Sequence, residues 1–157
     1  MRNRSYQPEP SSRALTRPTS SSAFSGTPLF RAAIKHNAFI HIDGETYESG
    51  EPLTDILLGG LDEPEFKSWA GVGVVIQAYL RDADARLQHL NDWCGQRNRE
   101  LTVRLVKGAY WDSEIIRSRR SGWAPPVYLR KSETDAAFER LALTLMKSQD
   151  RFKIAIA

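Results

Sequence analysis

At 157 residues, 41% of them hydrophobic, the chain is long enough for one ordinary domain with a single core, and nothing in that forbids a piece of something larger. One cysteine, Cys94, excludes an intrachain disulfide framework and a multi-cysteine metal site, and no apolar run approaches the roughly 18 to 20 residues of a membrane helix. The net charge of +3 is uneven: residues 1–37 carry six Lys and Arg against Glu9, whereas residues 38–157 set sixteen basic against eighteen acidic residues, so no nucleic-acid partner is expected for the folded part.

Residues 1–37 are basic, rich in Ser and Pro and poor in periodicity, and are expected to form a disordered tail. Organelle transit peptides share that composition, but an unstructured leader is the simpler account. "AFIHID" (38–43) then reads as a short strand ending at Asp43. Leu53, Ile56, Leu57 and Leu58 follow at near-helical spacing, with Gly59-Gly60 expected to stop that helix. "GVGVVIQAYL" (71–80) is mostly apolar, as in a strand covered on both faces, and carries Gln77 near its end. Leu87, Leu90, Trp93 and Cys94 share one face of the next helix, started by Asp82 or Asp84, with His89 on its solvent side. "LTVRLVKGAY" (101–110) is the following strand, and "DSEIIRSRRSG" (112–122) a helix capped by Asp112 and ended by Gly122. "PVYLRK" (126–131) reads as a weaker strand. "TDAAFERLALTLMKS" (134–148) reads as a helix burying Phe138, Leu141 and Leu145, and "FKIAIA" (152–157) opens another strand.

Strands alternating with helices through short connections make the class α/β, with a parallel sheet. No glycine-rich fingerprint opens a helix after the first strand, which argues against a dinucleotide-binding sheet. A (β/α)8 barrel accounts better for the order, and its chemistry gathers at the C-terminal ends of the strands. Asp43, Gln77, Arg104 and Lys107 lie on or just after three different strands, so a barrel aims them at one mouth, with Tyr110 and Trp111 in the loop beyond. Two ligand chemistries suit that set. A flat cofactor that becomes anionic when reduced would use the cations and the amide. A lysine with a depressed pKa would instead act as a Schiff-base nucleophile, as in aldolase-type barrels. Spacing alone does not choose.

"VRLVKGAYWDSEI", with "GVGVVIQAYL" before it and "PVYLRKSETD" after it, resembles the proline dehydrogenase family, most closely its bacterial bifunctional members, from about Phe39 to Ala157. The resemblance implies a distorted (β/α)8 barrel that binds FAD and oxidises L-proline to Δ1-pyrroline-5-carboxylate by hydride transfer to flavin N5. It assigns Asp43 and Arg104 to catalysis. It assigns Gly44, Gln77, Val106, Lys107, Gly108, Ala109 and Trp111 to the cofactor, Tyr110 to the substrate, and no residue to a metal. It further implies a quinone electron acceptor and a cytoplasmic protein peripheral at the bacterial inner membrane.

Departures qualify that expectation. Leu129 stands where the family reads Thr, a substrate lysine is expected on an earlier strand where this chain has its tail, and the arginines that grip the proline carboxylate belong to a later strand. Residues 38–157 are therefore expected to form a truncated barrel with about half of the strands, inactive by itself and open to self-association through unpaired edges. A non-enzymatic remnant or interaction module, and a lysine-based aldolase-like enzyme, stay open as alternatives.

Overall fold

The computed structural model describes residues 26–157; residues 1–25, most of the expected tail, lie outside them. The elements in chain order are α1 (Thr27–Lys35), β1 (Ile40–Ile42), α2 (Tyr47–Leu61), β2 (Val72–Gln77), α3 (Ala83–Arg97), β3 (Leu101–Val106), α4 (Trp111–Ser121), α5 (Lys131–Lys147) and β4 (Phe152–Ile156), with a single 3-10 turn at Pro64–Phe66. The four strands form one sheet in the order β1-β2-β3-β4, every pair parallel. That is the order of consecutive strands in a (β/α)8 barrel, four of its eight, as the pattern of elements predicts.

Side-chain alternation divides the sheet into two faces. Leu101, Val103 and Leu105 of β3 are buried against the helices, while Thr102, Arg104 and Val106 between them are only half-buried on the other face. The helix-covered side is the core, where Val72, Val74 and Ile76 of β2 meet Leu57 and Leu61 of α2, Leu87 and Leu90 of α3, and Leu141 and Leu145 of α5. Truncating one of these fully buried leucines to Ala costs about 2–5 kcal/mol. The opposite face leaves Thr102 and Arg104 partly accessible, and it is the face that carries the candidate site.

One arginine fastens the N-terminal end of this sheet. Arg99, just before β3, donates to the carbonyls of Leu61 (2.6 Å), Phe66 (3.1 Å) and Trp69 (2.8 Å), and its guanidinium lies 5.3 Å from the Trp93 ring centre. It thereby satisfies the last carbonyl of α2 and the turn after it, which have no partners within a helix. Burial lowers its pKa from the ordinary arginine value.

Four expectations need correction. The tail does not extend to residue 37, because Thr27–Lys35 is helical, with Phe30 and Ala33 buried. Pro28 suits a first turn, and Phe30 packs on Phe66 (5.2 Å) and Trp69 (5.1 Å), so tertiary contact makes a helix where composition suggested none. Helix α2 is not stopped at Gly59-Gly60 but runs to Leu61, because packing of Leu57, Leu58 and Leu61 outweighs the glycines' poor propensity. Asp112 is not the N-cap of α4: Tyr110 is, and Asp112 sits in the first turn. "PVYLRK" is not a strand. Only an isolated antiparallel bridge joins Val127 to Leu80, with bonds from Arg81 N to Pro126 O (2.9 Å) and from Tyr128 N to Tyr79 O (2.8 Å), since Pro125-Pro126 can donate nothing to a ladder.

Candidate functional site

Asp43 follows β1 directly, and Arg104 rises from the accessible face of β3. Arg104 Nη2 donates to Asp43 Oδ2 at 2.6 Å, across the strand between them. Both side chains keep substantial exposure, 31% and 48%, so the pair contributes at most about 1 kcal/mol to folding. Its consequence is geometric: the guanidinium is held at one place while most of its donors stay available.

Gln77, at the end of β2, is 8% exposed. Its Nε2 donates to the carbonyl of Gly44 at 2.8 Å, whereas its Oε1 is buried with no partner among the described residues. A buried acceptor left alone costs about 1–3 kcal/mol, which is characteristic of a group kept for a ligand. Gly44 is required where it stands, because a Cβ there would meet the Cα of Gly50 at 2.7 Å.

Beyond β3, the carbonyls of Val106 and Lys107 accept from Ala78 N and Tyr79 N, each at 2.8 Å, which moors the start of the β3–α4 loop to β2. Gly108 then takes φ +120°, and a Cβ on it would lie 2.5 Å from the Tyr79 ring. Burial, with Glu114 nearby, pushes the Tyr79 hydroxyl up to about 12. Lys107 turns away from Arg104: its Nζ reaches Asp135 Oδ1 at 2.5 Å, Lys131 holds the other oxygen at 2.6 Å, and the ammonium lies 5.7 Å from the Phe138 ring centre. The bond to Asp135 raises the Lys107 pKa and lowers that of Asp135. A lysine held protonated in this way is a poor Schiff-base nucleophile, which removes the support for an aldolase-like reading.

These residues line one open groove of about 470 Å³, formed by Asp43, Gln77, Arg104, Val106, Lys107, Gly108, Ala109 and Tyr110 together with Phe138 and Ala157. Eight of the ten residues singled out from the sequence are therefore neighbours. Gly44 lines a separate cavity behind Gln77, between α2 and α3. Trp111 also stands apart: its indole N–H donates to Tyr128 O at 2.8 Å, and its ring faces the adjoining cavity beside Leu129, Arg130 and Lys131. Phe138, Asp135 and Tyr79 were missed as site residues. Phe138 has the helical spacing of a core aromatic, and Asp135 three positions earlier is the signal that could have placed both beside Lys107.

His41 lies on the same sheet face one layer below Asp43. Gly73 makes room for it, since a Cβ there would come 2.6 Å from the imidazole. Burial lowers the His41 pKa, and the charge of Arg104 lowers it further while Asp43 opposes the shift. The groove thus offers a fixed cation, a buried acceptor and a glycine-floored turn, a set suited to a flat, polar-edged group that gains negative charge. Among the described residues no cluster of His, Cys, Asp or Glu could hold a metal.

The comparisons with known proteins agree with one another. The family model described as proline dehydrogenase matches residues 2–157. The bifunctional protein PutA of Escherichia coli (strain K12) is 40% identical over 115 residues, 73% of this chain and 9% of that protein. PutA of Rhizobium meliloti is 37% identical over 100 residues, 63% of this chain and 8% of that protein. The crystal structure of PutA from Bdellovibrio bacteriovorus inactivated by N-propargylglycine superposes with a TM-score of 0.81 at 37% identity, covering 83% of this chain and 14% of that one. The structure of PutA from Corynebacterium freiburgense does so with a TM-score of 0.78 at 31% identity, covering 83% and 14%. The chain spans less than a tenth of the curated relatives' length. A match that runs from residue 2 to the last residue, upon a sheet and helices shared with those structures, means that this chain belongs to the proline dehydrogenase family.

Proposed function

We propose that the groove is part of the active site of an FAD-dependent proline dehydrogenase that oxidises L-proline to Δ1-pyrroline-5-carboxylate. The observation that carries this is the convergence of the Asp43–Arg104 pair, the Gln77 amide and the Lys107–Tyr110 turn on one groove, in a chain of this family. The residues present fit a flavin: Gln77 Oε1 awaits a donor such as a ring N–H, and the Arg104 guanidinium supplies positive charge in a fixed place. A bound flavin would supply the two-electron acceptor for the hydride leaving the proline ring carbon. Asp43 holds the Arg104 guanidinium in place. The positive field favours negative charge growing in the groove, and it disfavours a protonated ring nitrogen, so the amine reacts neutral and its second proton passes to water. Val106, Gly108 and Ala109 let the backbone come close to the cofactor, with Lys107 at the groove edge. Gly44 positions Gln77 from behind, Trp111 contacts the cofactor's far arm in the adjoining cavity, and Tyr110 faces the substrate.

Residues 38–157 are proposed as the barrel part, with α1 packed onto its N-terminal end. For the 157-residue chain by itself, the proposal is flavin binding without proline turnover, since the resemblance assigns the carboxylate-gripping arginines to none of its residues. The acceptor for the electrons is a quinone, and the setting is the cytoplasm with peripheral contact at the bacterial inner membrane. In support, no helix among the described residues is long and apolar enough to cross a membrane. Among the described residues β1 and β4 are each paired on one side only, so self-association through those edges belongs to the proposal, as does a non-enzymatic interaction module as the second reading. Equilibrium dialysis against FAD tests it. One FAD per chain, weakened about tenfold by Gln77→Leu through loss of one buried hydrogen bond, is the expected result. No uptake by the wild type would favour the interaction module.

A further inference from the structure

The first turn of α2 joins the two loops that carry the groove residues. Glu114 of α4 is 3% exposed, and its Oε1 accepts the Tyr47 amide at 2.9 Å. Tyr47 opens α2, so this bond takes up an amide that no carbonyl within the helix can reach, at the end where the helix dipole favours an acidic group. Thr46 and Ser49 complete the turn through reciprocal capping bonds. Neighbouring elements hold it further. Arg117 of α4 faces Glu48 at 3.6 Å, and Arg86 of α3 lies 5.0 Å from the Tyr47 ring centre in space that glycine at position 50 leaves open.

Asp43 and Gly44 sit immediately before this turn, and the close approach of Gly44 to Gly50 rests their loop directly upon it. Helix α4 starts directly after Lys107–Tyr110. The Glu114–Tyr47 bond spans 67 residues of sequence and ties the β1–α2 loop to the β3–α4 loop, while Glu114 itself lines neither side of the groove. Were it only filling space, leucine would serve as well, because well-packed apolar residues replace buried charged groups without loss.

We infer that Glu114 is a positioning residue: through Tyr47 it holds Asp43 and Gly44 in register with Arg104 and Gln77. Its ligand consequence rests on the groove being the flavin site proposed above; its structural consequence does not. The test is residue-resolved amide hydrogen exchange on the 157-residue chain, with the FAD dissociation constant measured on the same samples, for wild type, Glu114→Leu and Glu114→Gln. In Glu114→Leu, amides 44–50 exchange about tenfold faster while those of β2 and β3 are unchanged, and the FAD dissociation constant rises about tenfold. Glu114→Gln keeps an acceptor oxygen and restores both to within about threefold of wild type. Unchanged exchange at 44–50 in Glu114→Leu would overturn the inference, and so would equal acceleration of all amides in both variants. If wild type takes up no FAD, the flavin proposal fails and the exchange comparison alone decides the role of Glu114.

Discussion

Replacing Gly108 by alanine isolates the strain built into the turn at the groove. The new Cβ would lie 2.5 Å from both Cδ1 and Cγ of Tyr79 and 2.7 Å from Cδ2, and all three atoms belong to a rigid ring on a buried residue. Overpacking of that kind costs about 1–3 kcal/mol. The backbone adds a separate cost of about 1–3 kcal/mol, because φ +120° is a conformation that L side chains rarely adopt. Together they predict a loss of about 2–6 kcal/mol, a large share of the roughly 5–15 kcal/mol that holds a typical domain. Urea unfolding followed by circular dichroism, with the slope checked for constancy, reads the loss directly. A double-mutant cycle with Tyr79→Ala separates the two contributions: the coupling should recover about 1–3 kcal/mol, leaving the backbone cost. A loss below about 0.5 kcal/mol for Gly108→Ala would refute both the positive-φ turn and the contact with Tyr79.

Arg99→Leu removes the guanidinium donor from the Leu61, Phe66 and Trp69 carbonyls, of which Phe66 keeps the Trp69 amide, and should destabilise by about 2–4 kcal/mol in the same urea assay, with Arg99→Lys recovering little because an ammonium lacks the fork. Because the folded-state pKa of His41 lies below the ordinary value of 6.5, the unfolded chain takes the proton first. Stability is therefore greatest above about pH 6.5 and falls as the pH drops below it, and His41→Asn should flatten that part of the stability curve. Borohydride treatment with pyruvate at neutral pH should leave no covalent adduct on Lys107, checked by intact mass, since Asp135 keeps its amine protonated. Arg104→Gln should change stability by at most about 1 kcal/mol, as the ion pair with Asp43 is exposed, so any large loss of cofactor in this variant reports on binding.

The two inner strands, β2 and β3, were legible because their apolar runs are bounded by turn residues, and Gln77, Arg104 and Lys107 stood out as polar groups inside or ending those runs. The parallel order followed from the alternation with helices. What was not legible depends on contacts distant in sequence. Helix α1 forms because Phe30 finds Phe66 and Trp69, and a nine-residue stretch in a Ser-rich context shows nothing of that. Trp111 reads as a groove residue until its indole is seen bonded to Tyr128, which turns it into the adjoining cavity. Glu114 is one of several charged residues in "WDSEIIRSRR", and only the burial of its side chain under Tyr47 distinguishes it from Asp112. Phe138 kept the helical spacing of a core residue, and it packs at the edge of the core, partly buried, with the Lys107 ammonium over its ring.

The visible absorption spectrum of the chain after incubation with FAD and removal of free cofactor tests the central claim most directly. The account predicts retained flavin bands in the wild type and their loss in Arg104→Ala at an unchanged unfolding midpoint. Wild type without flavin bands, or Arg104→Ala holding as much flavin as wild type, would contradict it.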